Sequence, residues 1–345
     1  MKFGTFLFTQ HADPAKDEQG IAETLAEAKL AEELGYDAVW LAEHHFDGTC
    51  IYVDPVSFAA ALSQATKRVQ IGFAVIQASL HHPLRLAEQL ALIDHLSRGR
   101  LIVGLGRGSM FNNYEYAAYE IDPASSRERF AEIEDILLKC WAGGRVAHKG
   151  KFWSFDIPNL RPRPFTKPHP QIVHALVSEA STLALAKTGG PFLMAGPAEA
   201  IVKRCEVYRH AMREAGHTED AIARAFADSW AWQHVVVADS DDKAVEIGLP
   251  AFQGMMGYRA TLEANPVFGE IAKAVGPRQL PRSLVAGAPP TVAAQLAPLK
   301  EAGIGGLILR FRIGEMAHAD AVNSQRLFVD KVAPTLRAAR AEAAQ

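Results

Sequence analysis

The chain alternates between two hydrophobic rhythms. Short runs rich in β-branched and aromatic residues recur at KFGTFLF (2–8), DAVWLA (37–42), VQIGFAV (69–75), RLIVGLG (100–106), QIVHALV (171–177), PFLMA (191–195), WQHVVVA (232–238) and GGLILRF (305–311). Between them the apolar positions spread to helical spacing. In IAETLAEAKLAEELG, Ile21, Leu25, Ala28, Ala31 and Leu34 keep one stripe and Gly35 supplies a stop. PLRLAEQLALIDHLSRG repeats the arrangement, with Pro83 near its start and Gly99 at its end. Strands that are nearly continuously apolar need cover on both faces, and alternating amphipathic helices provide it over a parallel sheet. Eight such units predict an α/β fold of the (β/α)8 barrel type, with a doubly wound sheet as the second choice.

Two stretches exceed a minimal barrel. GRVAHKGKFWSFDIPNLRPRP (144–164) is rich in Pro and aromatic residues and predicts a hairpin-like insertion after the fourth strand-helix unit. Residues 249–288, with GMMGY, NPVFG and Pro-rich punctuation, predict a cap after the seventh. Long segments of this kind are commonly functional lids or mobile loops. Pro298 inside TVAAQLAPLKEAG should kink or shorten that helix. No linker, repeat array or low-complexity tract divides the chain, so residues 1–345 read as one domain.

Composition acts mainly by exclusion. With 345 residues, 49% of them hydrophobic, the chain can bury a large core. Lys and Arg (36) nearly balance Asp and Glu (39), which gives neither a basic face for nucleic acid nor a polybasic membrane patch. Small-molecule chemistry is the expectation that remains. Cys50, Cys140 and Cys205 are scattered and without C-x-x-C spacing, so they suggest no disulfide framework or zinc knuckle and fit a reducing cytoplasm. MKFGTFLFTQ reads as a first strand and not as a signal, and no later run is long enough to span a bilayer.

In a barrel the C-terminal strand ends and the loops after them meet at one face, where catalysis is found. The second strand ends on Glu43, His44 and His45, an acid and two imidazoles that packing alone does not call for. The third leads through VIQASLHHP, the fourth through GRGSMFNNYE and the fifth through SEAST. So many histidines invite a metal, but His44 and His45, like His81 and His82, are adjacent and point to opposite sides on extended backbone. The first strand adds no ligand, and no metal is expected. His45, His81, His82 and His95 are open to a second reading, as hydrogen-bonded structural histidines.

GLGRGS (104–109) resembles a dinucleotide fingerprint, yet MFNNYEY after it does not open an obvious helix to receive a pyrophosphate. It does offer closely approachable backbone, with Arg107 as a fixed cation. VSEASTLALAKTG starts a helix directly after the fifth strand, with Ser178 as its cap. The free amides and positive dipole end of such a helix suit a phosphate, which Arg107 could share, although a plain cap explains Ser178 equally well.

Taken together, MKFGTFLF, AEELGYDAVWLAEHHF, ATKRVQIG, HPLRLAE, DHLSRGR and SEAST resemble the bacterial luciferase-like family of flavin-dependent monooxygenases. They lie in order and at compatible spacing over residues 1 to about 240, with weaker similarity in GAPPTVAAQL and the last strand and helix. The resemblance implies a (β/α)8 TIM barrel, commonly a homodimer, that binds FMN supplied in reduced form by a separate flavin reductase. It implies oxygenation of a small apolar substrate, a carbonyl or terpene-like compound, by way of a flavin hydroperoxide.

By the same resemblance His44 is the catalytic histidine beside the reactive edge of the flavin. An imidazole suits proton management there, because it gives or takes a proton near neutral pH. Ala74 and Val75 fall where a non-proline cis peptide lies against the flavin ring, Arg107 is the phosphate-contacting arginine, and Ser178, Glu179 and Thr182 complete the phosphate cradle. Gly106 stands where the light-emitting subunit carries a reactive cysteine, a departure that argues against bioluminescence and a long-chain aldehyde. Phe8, Met110, Phe111 and Tyr114 are candidates to line the substrate pocket, with core packing an alternative for Phe8. A deazaflavin-dependent hydride-transfer enzyme and a non-catalytic flavin-binding relative would share the barrel.

Overall fold

The computed structural model describes residues 1–46, 48–108, 113–263 and 284–338. Its strands in chain order are β1 (Lys2–Leu7), β2 (Ala38–Leu41), β3 (Gln70–Phe73), β4 (Ile76–Gln77), β5 (Leu101–Gly106) and β6 (Val146–Lys149). They continue with β7 (Ser154–Ile157), β8 (Gln171–Ala175), β9 (Phe192–Ala195), β10 (Trp230–Val237), β11 (Leu284–Gly287) and β12 (Gly306–Arg310). Parallel pairing runs β1-β2-β3-β5-β8-β9-β10-β12 and returns from β12 to β1, a closed eight-stranded barrel. Each of the eight runs expected from sequence supplies one barrel strand. The open-sheet alternative fails because β12 pairs with both β1 and β10 and leaves no edge there.

The helices begin and end where their sequences direct. Helix Asp17–Leu34 stops at Gly35, whose φ of 80° is left-handed, and Pro83 opens helix Pro83–Ser97. Inside the barrel Trp40 and Trp230 meet at 4.8 Å between ring centroids, and both are fully buried. Gly72 and Gly306 make room for them: a Cβ would stand 2.5 Å from the Trp40 ring at the first and 2.3 Å from the Trp230 ring at the second. The bottom of the barrel is therefore packed solid, and only its upper layers can hold a ligand.

The first insertion is the antiparallel hairpin β6–β7, in register Val146↔Ile157. Glu132 fastens its turn, accepting the backbone N–H groups of Lys151 at 3.1 Å and Trp153 at 3.0 Å. The second is described only in part. Residues 249–263 continue the helix Asp241–Glu263, and β11 adds a parallel strand to β10; residues 264–283 lie outside the described residues. Helix Pro289–Glu301 runs through Pro298 and ends three residues beyond it. The segment after β5, expected to hold no helix, forms Asn113–Ala118. Six residues are too few for apolar periodicity to register in sequence.

Candidate active site

Strand alternation carries the interior column upward from the tryptophan layer. Phe6 packs edge-on against Trp232 at 5.6 Å, and Trp232 against His234 at 4.4 Å. In the next layer the Phe8 ring meets the His44 imidazole edge-on at 5.4 Å, and the Arg310 guanidinium lies over the same Phe8 ring, 4.4 Å from its centroid. One side of the barrel mouth is thus built from the bulky ends of β1, β2, β10 and β12. The ends of β3, β5, β8 and β9 are small residues: Ala74 directly after β3, then Gly106, Ala175 and Ala195. Such a wall of small residues is flat enough for a planar ring system to lie on.

The peptide between Ala74 and Val75 is cis, as the family resemblance implied. A Cβ on Gly106 would stand 2.4 Å from Val75 Cγ2, so Val75 already fills the space that a side chain at position 106 would take. The cysteine found there in light-emitting relatives does not fit without moving Val75.

His44 and His45 diverge as their extended backbone requires. The His45 ring turns behind β2, where Nε2 lies 3.0 Å from Glu43 Oε1, and His81 Nε2 reaches the same oxygen at 2.8 Å. Tyr119 Oη is 3.3 Å from His45 Nδ1. Burial works to raise the Glu43 carboxyl, but His81 and then the hydrogen bonds of His45 and His81 outweigh it and hold the group at about 2. Burial works the other way on both imidazoles, and Glu43 overcomes it, leaving His45 and His81 above their ordinary value. Glu43, His45, Asp54, His81, Arg85 and Tyr119 line a cavity of about 260 Å³. The structural reading of His45 and His81 holds, and His95 likewise bonds the carbonyl of Arg163 at 2.8 Å. Among the described residues no group of three or more His, Cys, Asp or Glu could hold a metal ion.

Arg107 follows β5 and Ser178 follows β8, which are neighbours in the sheet, so both stand on the small-residue side. Ser178 caps helix Glu179–Thr188 in a capping box with Ser181, and the buried Thr182 donates its hydroxyl to the Ser178 carbonyl at 2.9 Å. These hydroxyls are used within the helix, which leaves its first-turn amides as the groups aimed outward. Tyr114 is buried on the short helix after β5, while Met110 and Phe111 lie outside the described residues.

Sequence reasoning missed Gln77, Glu115, Trp232 and His234. Gln77 N–H donates to Glu43 Oε2 at 2.7 Å, and its side-chain amide donates to the Glu43 carbonyl at 3.0 Å and to Glu115. Trp232 and His234 had a legible signal, because alternate residues of one strand share a face. Glu115, a lone acid in NNYEY, had none.

Comparison with known proteins places this geometry. The sequence profile of the family described as luciferase-like monooxygenase matches residues 1–305. Limonene 1,2-monooxygenase of Rhodococcus erythropolis is 32% identical over 187 residues, 54% of this chain and 46% of that enzyme. The match therefore spans less than half of the relative's own length. Among solved structures, the monooxygenase RslO1 from Streptomyces bottropensis superposes with a TM-score of 0.82 at 30% identity, over 97% of this chain and 99% of that one. The oxygenating constituent of 3,6-diketocamphane monooxygenase from Pseudomonas putida, solved with FMN, superposes at 0.78 and 22% identity, over 97% and 98% of the two chains. At that identity it speaks for the fold alone.

Proposed function

The chain belongs to the luciferase-like monooxygenase family, and from that premise we propose that it is the oxygenating component of an FMN-dependent system acting on a small apolar carbonyl or terpene-like compound. The observation that carries the reading is the divided mouth: four neighbouring strands end on the small residues Ala74, Gly106, Ala175 and Ala195, while His44 and the aromatic side chains of β1 and β10 stand on the others. The name of the limonene enzyme supports the substrate class.

Arg107 and the first-turn amides at Glu179 are the groups that hold the FMN phosphate, through charge and the helix dipole. Ala74, Val75 and Gly106 form the floor under the ring. Reduced flavin, when bound, supplies the electrons that activate dioxygen. His44 then holds or moves one proton beside the reacting atoms, and Phe8 and Tyr114 provide apolar contact to the substrate. Phe252 packs against His234 at 5.2 Å and Met255 Sδ lies 3.3 Å from Arg310, so helix Asp241–Glu263 closes one side of the mouth and helps keep water out.

A separate reductase as the source of reduced FMN is part of the same reading, as the family resemblance implies. The exposed Leu92 and Leu96, one helical turn apart, favour a homodimer through the outer face of helix Pro83–Ser97. The three free, buried cysteines suit a reducing cytoplasm, and among the described residues no helix is long and apolar enough to cross a membrane.

The reading is tested by adding reduced FMN under isotope-labelled dioxygen together with small ketones and terpenes. Incorporation of label into product supports it. Substrate turnover with a reduced deazaflavin in the absence of oxygen, or FMN binding with no turnover, overturns it.

A further inference from the structure

We propose that Glu115 is a positioning residue for His44, holding its imidazole with the proton on Nδ1 so that Nε2 is the atom turned to the reacting centre. The inference rests on the proton-handling role proposed above for His44. Glu115 is completely buried, and its Oε1 lies 3.7 Å from His44 Nδ1. That oxygen also accepts the backbone N–H of His45 at 2.8 Å, and the other accepts the side-chain amide of Gln77. The carboxylate is therefore tied at both oxygens to segments that build the site: the residue next to His44, and β4 just past the Ala74–Val75 peptide. A carboxylate buried this fully needs such donors to remain ionised.

The distance lies within ion-pair range and beyond a hydrogen bond. Contacts between catalytic groups commonly tighten when substrate arrives. An ionised carboxylate only accepts, so the imidazole nitrogen that faces it carries the proton, and the tautomer of the other nitrogen follows. Nε2 is then an acceptor, able to take a proton, and the resulting imidazolium is stabilised by the carboxylate behind it.

The titratable and charged neighbours are Glu43, His45 and His81 behind β2, Tyr116 and Tyr119 on the segment that carries Glu115, Arg107 at the end of β5, and Arg310 across Phe8. Glu43 Oε1 is engaged by His45 and His81, and Tyr119 faces His45. Of the two buried carboxylates, Glu115 is the one that faces His44.

The test is a nitrogen-15 NMR titration of histidine-labelled protein without flavin, comparing the parent with Glu115→Gln. The parent should show the neutral His44 ring protonated on Nδ1, and the variant should lose that preference. Single-turnover oxygen transfer should fall roughly 10- to 100-fold with an altered pH profile, while FMN affinity stays within about twofold and Glu115→Asp recovers part of the rate. An Nε2-protonated ring in the parent overturns the proposal, even if the variant fails to fold. So does a variant that loses stability and FMN affinity together with no change in the His44 tautomer. If His44→Ala leaves oxygen transfer untouched, the chemical role of His44 fails, and that outcome is separate from the tautomer result.

Discussion

At the N-terminal end of the barrel, Glu32 accepts the backbone N–H groups of Lys67 at 2.8 Å and Val69 at 3.0 Å, pinning the entry to β3. Beside it Arg100 donates to the carbonyls of Val69 at 2.7 Å, Ser97 at 2.8 Å and Ser63 at 2.9 Å. At the C-terminal end Glu43 shares one oxygen between two imidazoles, and Glu115 faces a third. Both ends tie charged side chains into hydrogen bonds, half-buried at the first and buried at the second, but the partners differ. Backbone amides and carbonyls cannot change charge, so Glu32 and Arg100 hold loops in place under all ordinary conditions. Imidazoles titrate near neutrality, so the same carboxylate chemistry at the mouth becomes responsive to protons. One end of the barrel is tied by groups of fixed charge, and the other by groups that titrate.

The sharpest way to break that division is His44→Ala. With the ring in a proton-handling role, oxygen transfer should fall roughly 100- to 10,000-fold while FMN affinity and thermal stability stay near the parent's. Single-turnover product formation and flavin dissociation measured on the same variant decide it, and full yield at an unchanged rate removes His44 from the chemistry. Next in size is Arg100→Ala at the opposite end. Leaving several buried carbonyls without donors should destabilise the fold by about 3 kcal/mol in urea unfolding, with the affinity of the surviving folded protein for FMN unchanged. A loss of flavin affinity there would show that the two ends are coupled.

Arg107→Ala should weaken FMN binding roughly 10-fold, most at low salt, through loss of a charge-assisted phosphate contact. Riboflavin lacks the phosphate and should bind parent and variant alike; an equal loss for both ligands would make Arg107 structural. The smallest effect is in pH. Burial would raise the Glu32 carboxyl, but the N–H groups of Arg68, Val69 and Lys67 outweigh it, so its contribution is present above the ordinary 4.5 and fades as pH falls. Glu43 behaves likewise on the acid side, fading through about 2. His45 and His81, raised by Glu43, add a contribution complete below the ordinary 6.5 and lost as pH rises through their raised values. Melting temperatures followed across about pH 4 to 9 should show a decline above neutrality that Glu43→Gln removes and Glu32→Gln leaves in place, worth about 1 kcal/mol.

How much was legible follows the range of the interactions. The eight barrel strands could be read directly, because burial on both faces imposes an apolar run whatever the rest of the chain does. The divergence of His44 and His45 was legible for a similarly local reason: adjacent side chains on extended backbone cannot share a face. The Ala74–Val75 geometry came through the family resemblance and not from periodicity. The six-residue helix after β5 escaped notice, and with it Glu115.

By itself the sequence determined a parallel α/β barrel, an acid-and-imidazole strand end at its mouth, and a capped helix beside an arginine, all of them consequences of spacing along a few residues. Only the tertiary structure decided that Glu43 binds His81 from 38 residues away and that Glu115 sits behind His44. The same holds for Val75, which occupies the place of a side chain at Gly106. The reason is physical. Helix and strand periodicity record which face of an element is buried, whereas the partner of a buried charge is chosen by barrel closure, which brings distant strand ends to one rim and leaves no trace in local composition.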